Sequence, residues 1–242
     1  MADGRSGTSS KVTWLGHAAF LIEGAGARIA IDPFIDNNPK FPNGFDYGKL
    51  DVVAATHGHH DHFGEDGMSL AKKSGATIVC IFELALFCGS KGVENVSGMN
   101  KGGAQTIAGV EIRMVHADHS SGTSGAGGDQ NPPGDPCGYV LTMPDGLRIY
   151  HAGDTNVFSD MALIGELYRP DLALLPIGDL FTMGPREAAK ACELLRVPRV
   201  IPMHWGTFPV LTGTPQALRE EISKRVQRTE VIELAPGESW PG

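Results

Sequence analysis

A chain of 242 residues with 41% apolar and 20% charged side chains can bury one substantial core, which excludes a disordered or fibrous class and favours a single globular domain. A formal charge of −8, with Lys and Arg scattered along the chain, repels a phosphate backbone and argues against a nucleic-acid partner. No run approaches the roughly 20 apolar residues that span a bilayer, so no membrane partner is expected.

Residues 1–10 are polar and Gly/Ser-rich and are expected to form a disordered tail ahead of a domain covering 11–242. Three short runs, Lys11 to Leu15, Ala19 to Glu23 and Arg28 to Ile31, are separated by turn signals and predict antiparallel strands. Asp51 to Thr56 predicts a strand buried on both faces that ends directly in a histidine cluster. Helical spacing follows from Glu65 to Ser74 and stops at Gly75, then a strand at Thr77 to Ile81 and a short helix at Glu83 to Cys88.

Further strands are predicted at Glu111 to Val115, Tyr139 to Met143 and Arg148 to Tyr150, the last two joined by the turn Pro144-Asp145-Gly146. Ser120 to Pro136, rich in Gly, Ser and Pro, is expected to be a mobile cover beside the site. Ser159 to Tyr168, Pro185 to Arg196 and Pro215 to Arg228 predict helices; Leu172 to Leu175, Val200 to Ile201 and Val231 to Leu234 predict strands. This mixture of hairpins and strand-helix-strand units predicts an α/β fold in which two mixed sheets pack face to face with helices outside. Cys80, Cys88, Cys137 and Cys192 lack C-x-x-C spacing and are expected as free thiols in a reducing cytoplasm.

The segment Thr56-His57-Gly58-His59-His60-Asp61-His62 concentrates four histidines and an aspartate in seven residues. In an extended start, His57 and His59 point the same way and can reach one ion, while the adjacent Asp61 and His62 more naturally serve a second. Imidazole and carboxylate together suit zinc, iron or manganese. Other strands end in His116-Ala117-Asp118-His119, His151-Ala152-Gly153-Asp154 and His204-Trp205, each offering a His or Asp just beyond apolar sequence.

H-x-H-x-D-H after an apolar strand, followed by a His, an Asp in a Gly-Asp-Thr setting and a late His, resembles the metallo-β-lactamase superfamily. Trp14-Leu15-Gly16-His17, Asp32-Pro33-Phe34, Pro176-Ile177-Gly178-Asp179 and Pro202-Met203-His204-Trp205 resemble its UPF0173 group, which is similar to the ascorbate-6-phosphate lactonase branch. The resemblance runs from about Val12 to about Leu211. It implies the four-layer αβ/βα sandwich with the site at one edge, and two divalent ions, zinc first, with manganese or iron as the other candidates. It assigns His57, His59 and His119 to the first ion, Asp61, His62 and His204 to the second, and Asp154 as the bridge. His119, which precedes a serine, is preferred to His116. Asp32 resembles the acidic residue that orients the histidine loop, and His17 is a candidate contact to substrate or metal-bound water. The chain departs from the group at Gly122 to Cys137, where the relatives have a shorter stretch.

Two ions joined by Asp154 imply a bridging hydroxide that attacks a small ester, lactone or phosphoester, with Asp61 holding that nucleophile or carrying its proton. The Gly-x-Ser-x-Gly and Walker signals are absent. The rival readings are a di-iron oxidoreductase on the same fold and a metal-binding module without catalysis. A homo-oligomer is also expected, with Phe34, Phe41 and Phe45 as its apolar contact.

Overall fold

The computed structural model describes residues 9–122, 134–226 and 228–241. Seven strands build the first sheet: β1 (Lys11–Trp14), β2 (Phe20–Gly24), β3 (Ala27–Ile31), β4 (Val52–Ala54), β5 (Thr77–Ile81), β6 (Val96–Met99) and β14 (Ser239–Pro241), with α1 (Gly64–Ser74) and α2 (Phe82–Ser90) in the crossovers. The second holds β7 (Ala104–Ile107), β8 (Val110–His116), β9 (Cys137–Thr142), β10 (Arg148–His151), β11 (Leu172–Pro176), β12 (Arg199–Met203) and β13 (Glu230–Val231), with α3 (Met161–Tyr168), α4 (Pro185–Leu195) and α5 (Pro215–Ser223).

The sheet orders are β14-β1-β2-β3-β4-β5-β6 and β13-β12-β11-β10-β9-β8-β7. Helices join the parallel pairs β4-β5, β5-β6, β10-β11, β11-β12 and β12-β13, the loop 32–51 joins the parallel pair β3-β4, and the remaining neighbours, β14-β1 included, are antiparallel.

Strand periodicity assigns the two faces of the second sheet. Ile112, Met114, Leu141, Ile149, Leu172, Leu174 and Ile201 join Val12, Ile22, Ile29, Val53 and Ile78 of the first sheet in one core. Their neighbours Val115, Val140, Tyr150, Ala173, Leu175 and Val200 pack instead with Ala188, Cys192 and Leu218 of α4 and α5. This is the four-layer arrangement predicted from the element pattern. Leu174 is fully buried in the core between the sheets, so Leu174→Ala is expected to lower unfolding free energy by about 2–5 kcal/mol in urea titrations.

Several boundaries differ from expectation. β6, β7 and β14 carry no apolar run: β6 and β7 are half exposed edge strands, and Ser97 Oγ donates to Gln105 Oε1 at 2.7 Å from one to the other. The last helix ends at Ser223, five residues earlier than predicted, and Thr229 Oγ1 then donates to Val197 O at 2.8 Å on the way into β13. The strand predicted from Val231 to Leu234 is only Glu230–Val231. Ser10, expected in the tail, is buried, and its backbone N–H and hydroxyl each reach Asp145 Oδ2 at 2.8 Å.

Phe34, expected at the surface as an oligomer contact, is buried. Phe41 and Phe45 are partly buried and pack on Tyr47 and the core. Most of Ser120 to Pro136, the expected cover, lies outside the described residues. Among the described residues, no helix is long and apolar enough to cross a membrane.

Candidate metal centre

Strand ends deliver the polar residues to one edge of the sandwich. His57 to His62 follow β4, Asp118 and His119 follow β8, Asp154 follows β10, and His204 follows β12, while His17 lies in the turn between β1 and β2. Two glycines permit the close approach. A Cβ on Gly178 would stand 2.1 Å from His204 O, and one on Gly153 would meet Cys137 O at 2.7 Å. Three site residues, His17, Asp32 and His204, hold φ of 55°, 45° and 55°, a left-handed region that costs a non-glycine residue about 1–3 kcal/mol. Such local strain persists only where surrounding contacts impose it.

The ligand atoms fall into two groups. Atoms of His57, His59 and His119 lie within 4.8 Å of one another, and so do atoms of His17, Asp61, His62 and His204. Asp154 stands between the groups: its Oδ2 is 3.1 Å from Nε2 of both His62 and His204, and 3.6 Å from His119 Nε2. All seven residues assigned by the resemblance thus converge on one place. His116, the alternative to His119, is exposed at the end of β8 with its ring edge-on to Phe158. His60 is exposed, and His151 is turned inward, with Nε2 3.0 Å from Ala18 O and Nδ1 accepting from Gly153 N–H.

The donor set fits a divalent cation. His62 Nε2, both ring nitrogens of His204 and Asp154 Oδ1 are buried and have no hydrogen-bond partner, and buried polar atoms without partners are costly unless something else satisfies them. The short distances from His62 and His204 to Asp154 therefore bring the atoms together without proper hydrogen-bond alignment, as ligands aimed at a common point would be.

A third combination, Asp32 with His57 and His62, is also compact enough for an ion. Its carboxylate is already occupied. Oδ1 accepts the Thr56 backbone N–H at 2.8 Å, and Oδ2 accepts the Thr56 hydroxyl at 2.6 Å and faces His62 Nδ1 at 2.9 Å. Asp32 therefore fixes the histidine loop and turns His62 Nε2 toward Asp154, the arrangement of a carboxylate behind a metal-binding imidazole.

Charge reinforces this geometry. Burial alone would raise the Asp154 carboxyl, but His204 and His62 outweigh it and hold the group ionised, well below its usual range. Burial works against charging His62 too, yet Asp154 and Asp32 raise it well above an ordinary imidazole. His57, His59 and His119 are all lowered, first by desolvation and then by neighbouring imidazoles. Neutral imidazoles around an anionic carboxylate are what a divalent ion requires, and at His62 a bound cation would take the place of the proton that Asp154 and Asp32 favour.

His17 is fully buried, with Nε2 3.2 Å from Asp61 Oδ2 and Nδ1 3.0 Å from Thr207 Oγ1. Both nitrogens face protein groups, not the open side of the site. Thr207 and Thr56 carry no recognisable sequence signal, since each is one hydroxyl flanking a motif. Lys40 is a further such residue: its ammonium sits 4.2 Å over the Trp205 ring, donates to Trp205 O at 3.2 Å and lies under a stacked Trp14–Trp205 pair, tying the His17 and His204 loops together.

A cavity of about 480 Å³ lies against the outer side of the histidine loop, lined among others by Phe34, His60, Phe63, Met68 and Phe87. Phe34 separates it from His17, with its ring edge-on to both His17 and His60.

Comparison with known proteins agrees with the site. A family model described as the beta-lactamase superfamily domain matches residues 11–204. A UPF0173 metal-dependent hydrolase of Koribacter versatilis is 49% identical over 233 residues, 95% of this chain and 97% of that protein. Another, from Methanopyrus kandleri, is 48% identical over 230 residues, 95% of this chain and 99% of its own. Among solved structures, a metallo hydrolase from the hyperthermophilic archaeon Ignicoccus hospitalis superposes with a TM-score of 0.84 at 36% identity, covering 96% of this chain and 97% of that one. With the fold, the histidine loop and these relatives in agreement, the chain belongs to the beta-lactamase superfamily and, within it, to the UPF0173 metal-dependent hydrolases.

Proposed function

We propose that this chain hydrolyses a small ester, lactone or phosphoester with two divalent ions, zinc first among them, since manganese and iron also accept this donor set. The observation that carries the reading is the Asp154 carboxylate, buried between two groups of imidazoles and within 3.6 Å of both. His57, His59 and His119 would hold the first ion, Asp61, His62 and His204 the second, and Asp154 both. Such ions supply Lewis acidity and a water acidic enough to give a nucleophile near neutral pH.

The side chains do the rest. Asp61 is 22% exposed, the most open carboxylate of the cluster. Burial opposes its charge, but the contact with His17 and the nearby His62 keep it ionised. An ionised carboxylate at the open side can accept a hydrogen bond from the attacking water and take up its proton. The half-apolar cavity beside the loop suits an apolar portion of the substrate. The four cysteines are unpaired and buried, which supports a cytoplasmic location.

Protein stripped with a chelator and titrated with zinc, manganese or ferrous iron, against a panel of lactones, carboxylic esters and phosphodiesters, tests the reading. Hydrolysis should return only as the second equivalent binds. Full activity at one equivalent would refute the paired-ion mechanism, and metal uptake without turnover of any ester class would refute the substrate assignment.

A further inference from the structure

We infer that His17, steadied by Thr207, is a positioning residue that aims Asp61 and His204 at the second ion. This rests on the two-ion reading above and adds a role to a residue outside its ligand set.

Four contacts carry the inference. An ionised carboxylate only accepts, so the 3.2 Å contact to Asp61 Oδ2 puts the hydrogen on His17 Nε2, and the Thr207 hydroxyl at 3.0 Å then gives its hydrogen to Nδ1. Asp61 thereby sets the tautomer, and Thr207 steadies it by donating to the other ring nitrogen. The His17 carbonyl accepts the His204 backbone N–H at 2.9 Å, and the two rings pack with centroids 3.9 Å apart. One residue therefore restrains two of the three side chains proposed for the second ion alone, by its ring on one and by its backbone and ring on the other. The third, His62, is restrained separately by Asp32.

The surroundings fix His17 in turn. The Trp14 indole N–H donates to its carbonyl at 2.9 Å. Its left-handed backbone follows Gly16, where a Cβ would lie 2.8 Å from Lys40 Cβ.

The alternative is that His17 is itself a fourth ligand, because its nitrogen belongs to the same compact group. A ligand needs a lone pair on Nε2, whereas a positioning residue needs a hydrogen there. Glutamine separates the two: its amide N–H reaches about as far as Nε2 and can donate, but binds divalent ions poorly.

The experiment measures cobalt uptake by chelator-stripped protein, by calorimetry and by the visible absorption of the bound ion. Wild type should take up two ions. His17→Gln should keep both within a fewfold of wild-type affinity. His17→Phe, which retains a ring against His204 but has no donor, should weaken one ion by about 10–100-fold and leave the other unchanged. Thr207→Val, with His17 intact, should weaken that same ion by less, and it serves if His17→Phe fails to fold as judged by near-ultraviolet circular dichroism. Equal loss of one ion in His17→Gln and His17→Phe would make His17 a ligand and overturn the proposal. Unchanged uptake by folded His17→Phe, or by Thr207→Val where the first does not fold, would overturn it as well. A wild type that takes up one ion overturns the two-ion reading itself, and that result is visible before any substitution is made.

Discussion

Replacing Asp154 by alanine should empty both metal positions together and lower hydrolysis on the order of a thousandfold, the rate equivalent of the several kcal/mol that a Lewis-acidic ion contributes. The expectation follows from position. Asp154 Oδ2 reaches His119 of one imidazole group and His62 and His204 of the other, whereas Asp61 belongs to the second group alone. Asp61→Ala should therefore cost one ion and leave the other. Elemental analysis of the two variants after dialysis against zinc separates them. If Asp154→Ala keeps one full equivalent, the carboxylate is a terminal ligand and the bridge is wrong. Asp154→Asn is the useful companion: it preserves the shape of the side chain but removes the negative charge that His204 and His62 stabilise.

The parts of the fold that were legible in the sequence are those where burial follows a period. β4 and β11 are unbroken apolar runs because both faces are covered, and α4 announces itself by Pro185 at its first turn and by the buried stripe Ala188, Ala191, Cys192 and Leu195. The edge strands were not legible. Val96-Ser97-Gly98-Met99 contains a glycine that the strand tolerates because a Cβ there would lie 2.9 Å from Ala85 Cβ, a requirement set by α2 and invisible in the local pattern. The Phe34–Phe45 segment misled for the same reason. Its Pro and Asn residues suggested an exposed loop, yet Phe34 is buried with its ring against His17 and His60, and the Phe41 and Phe45 rings fold back onto Tyr47 and the core.

The site divides along similar lines. A dense cluster such as His57 to His62 is visible because the chemistry is local, and two-residue spacing alone pairs His57 with His59. His119, Asp154 and His204 each come from a separate strand end, and only likeness to a known arrangement joins them in sequence. The groups that orient the cluster were harder still, because a hydroxyl or a backbone carbonyl has no spacing rule. Asp32 could be singled out as an acid at a strand end, but nothing local indicates that it is shared between Thr56 and His62. His17 looked like a group facing substrate, and its buried contacts to Thr207 and Asp61 depend on the turn between β1 and β2 meeting the loop after β12.

Asp32→Ala should damage both stability and metal binding, and the two losses can be separated. Asp32 is fully buried and accepts the Thr56 backbone N–H and hydroxyl in addition to facing His62 Nδ1. Removing it leaves those buried donors unsatisfied, which should lower unfolding free energy of the metal-free protein by about 1–3 kcal/mol. It also frees the His62 ring to rotate, and loss of such an orienting carboxylate typically weakens metal binding by about 10–100-fold. Asp32→Asn divides the effects. Its amide oxygen can still accept the Thr56 N–H, but its NH₂ then confronts the Thr56 hydroxyl and His62 Nδ1. The hydroxyl can rotate to accept, whereas His62 can accommodate a donor only by presenting its Nδ1 lone pair, which places the hydrogen on Nε2, the atom needed for metal. Asp32→Asn should therefore retain more stability than Asp32→Ala while losing comparable affinity for the second ion. Urea unfolding of the metal-free proteins and calorimetric metal titration measure the two quantities independently; an asparagine variant that binds both ions as tightly as wild type would show that Asp32 holds the loop and does not set the His62 tautomer.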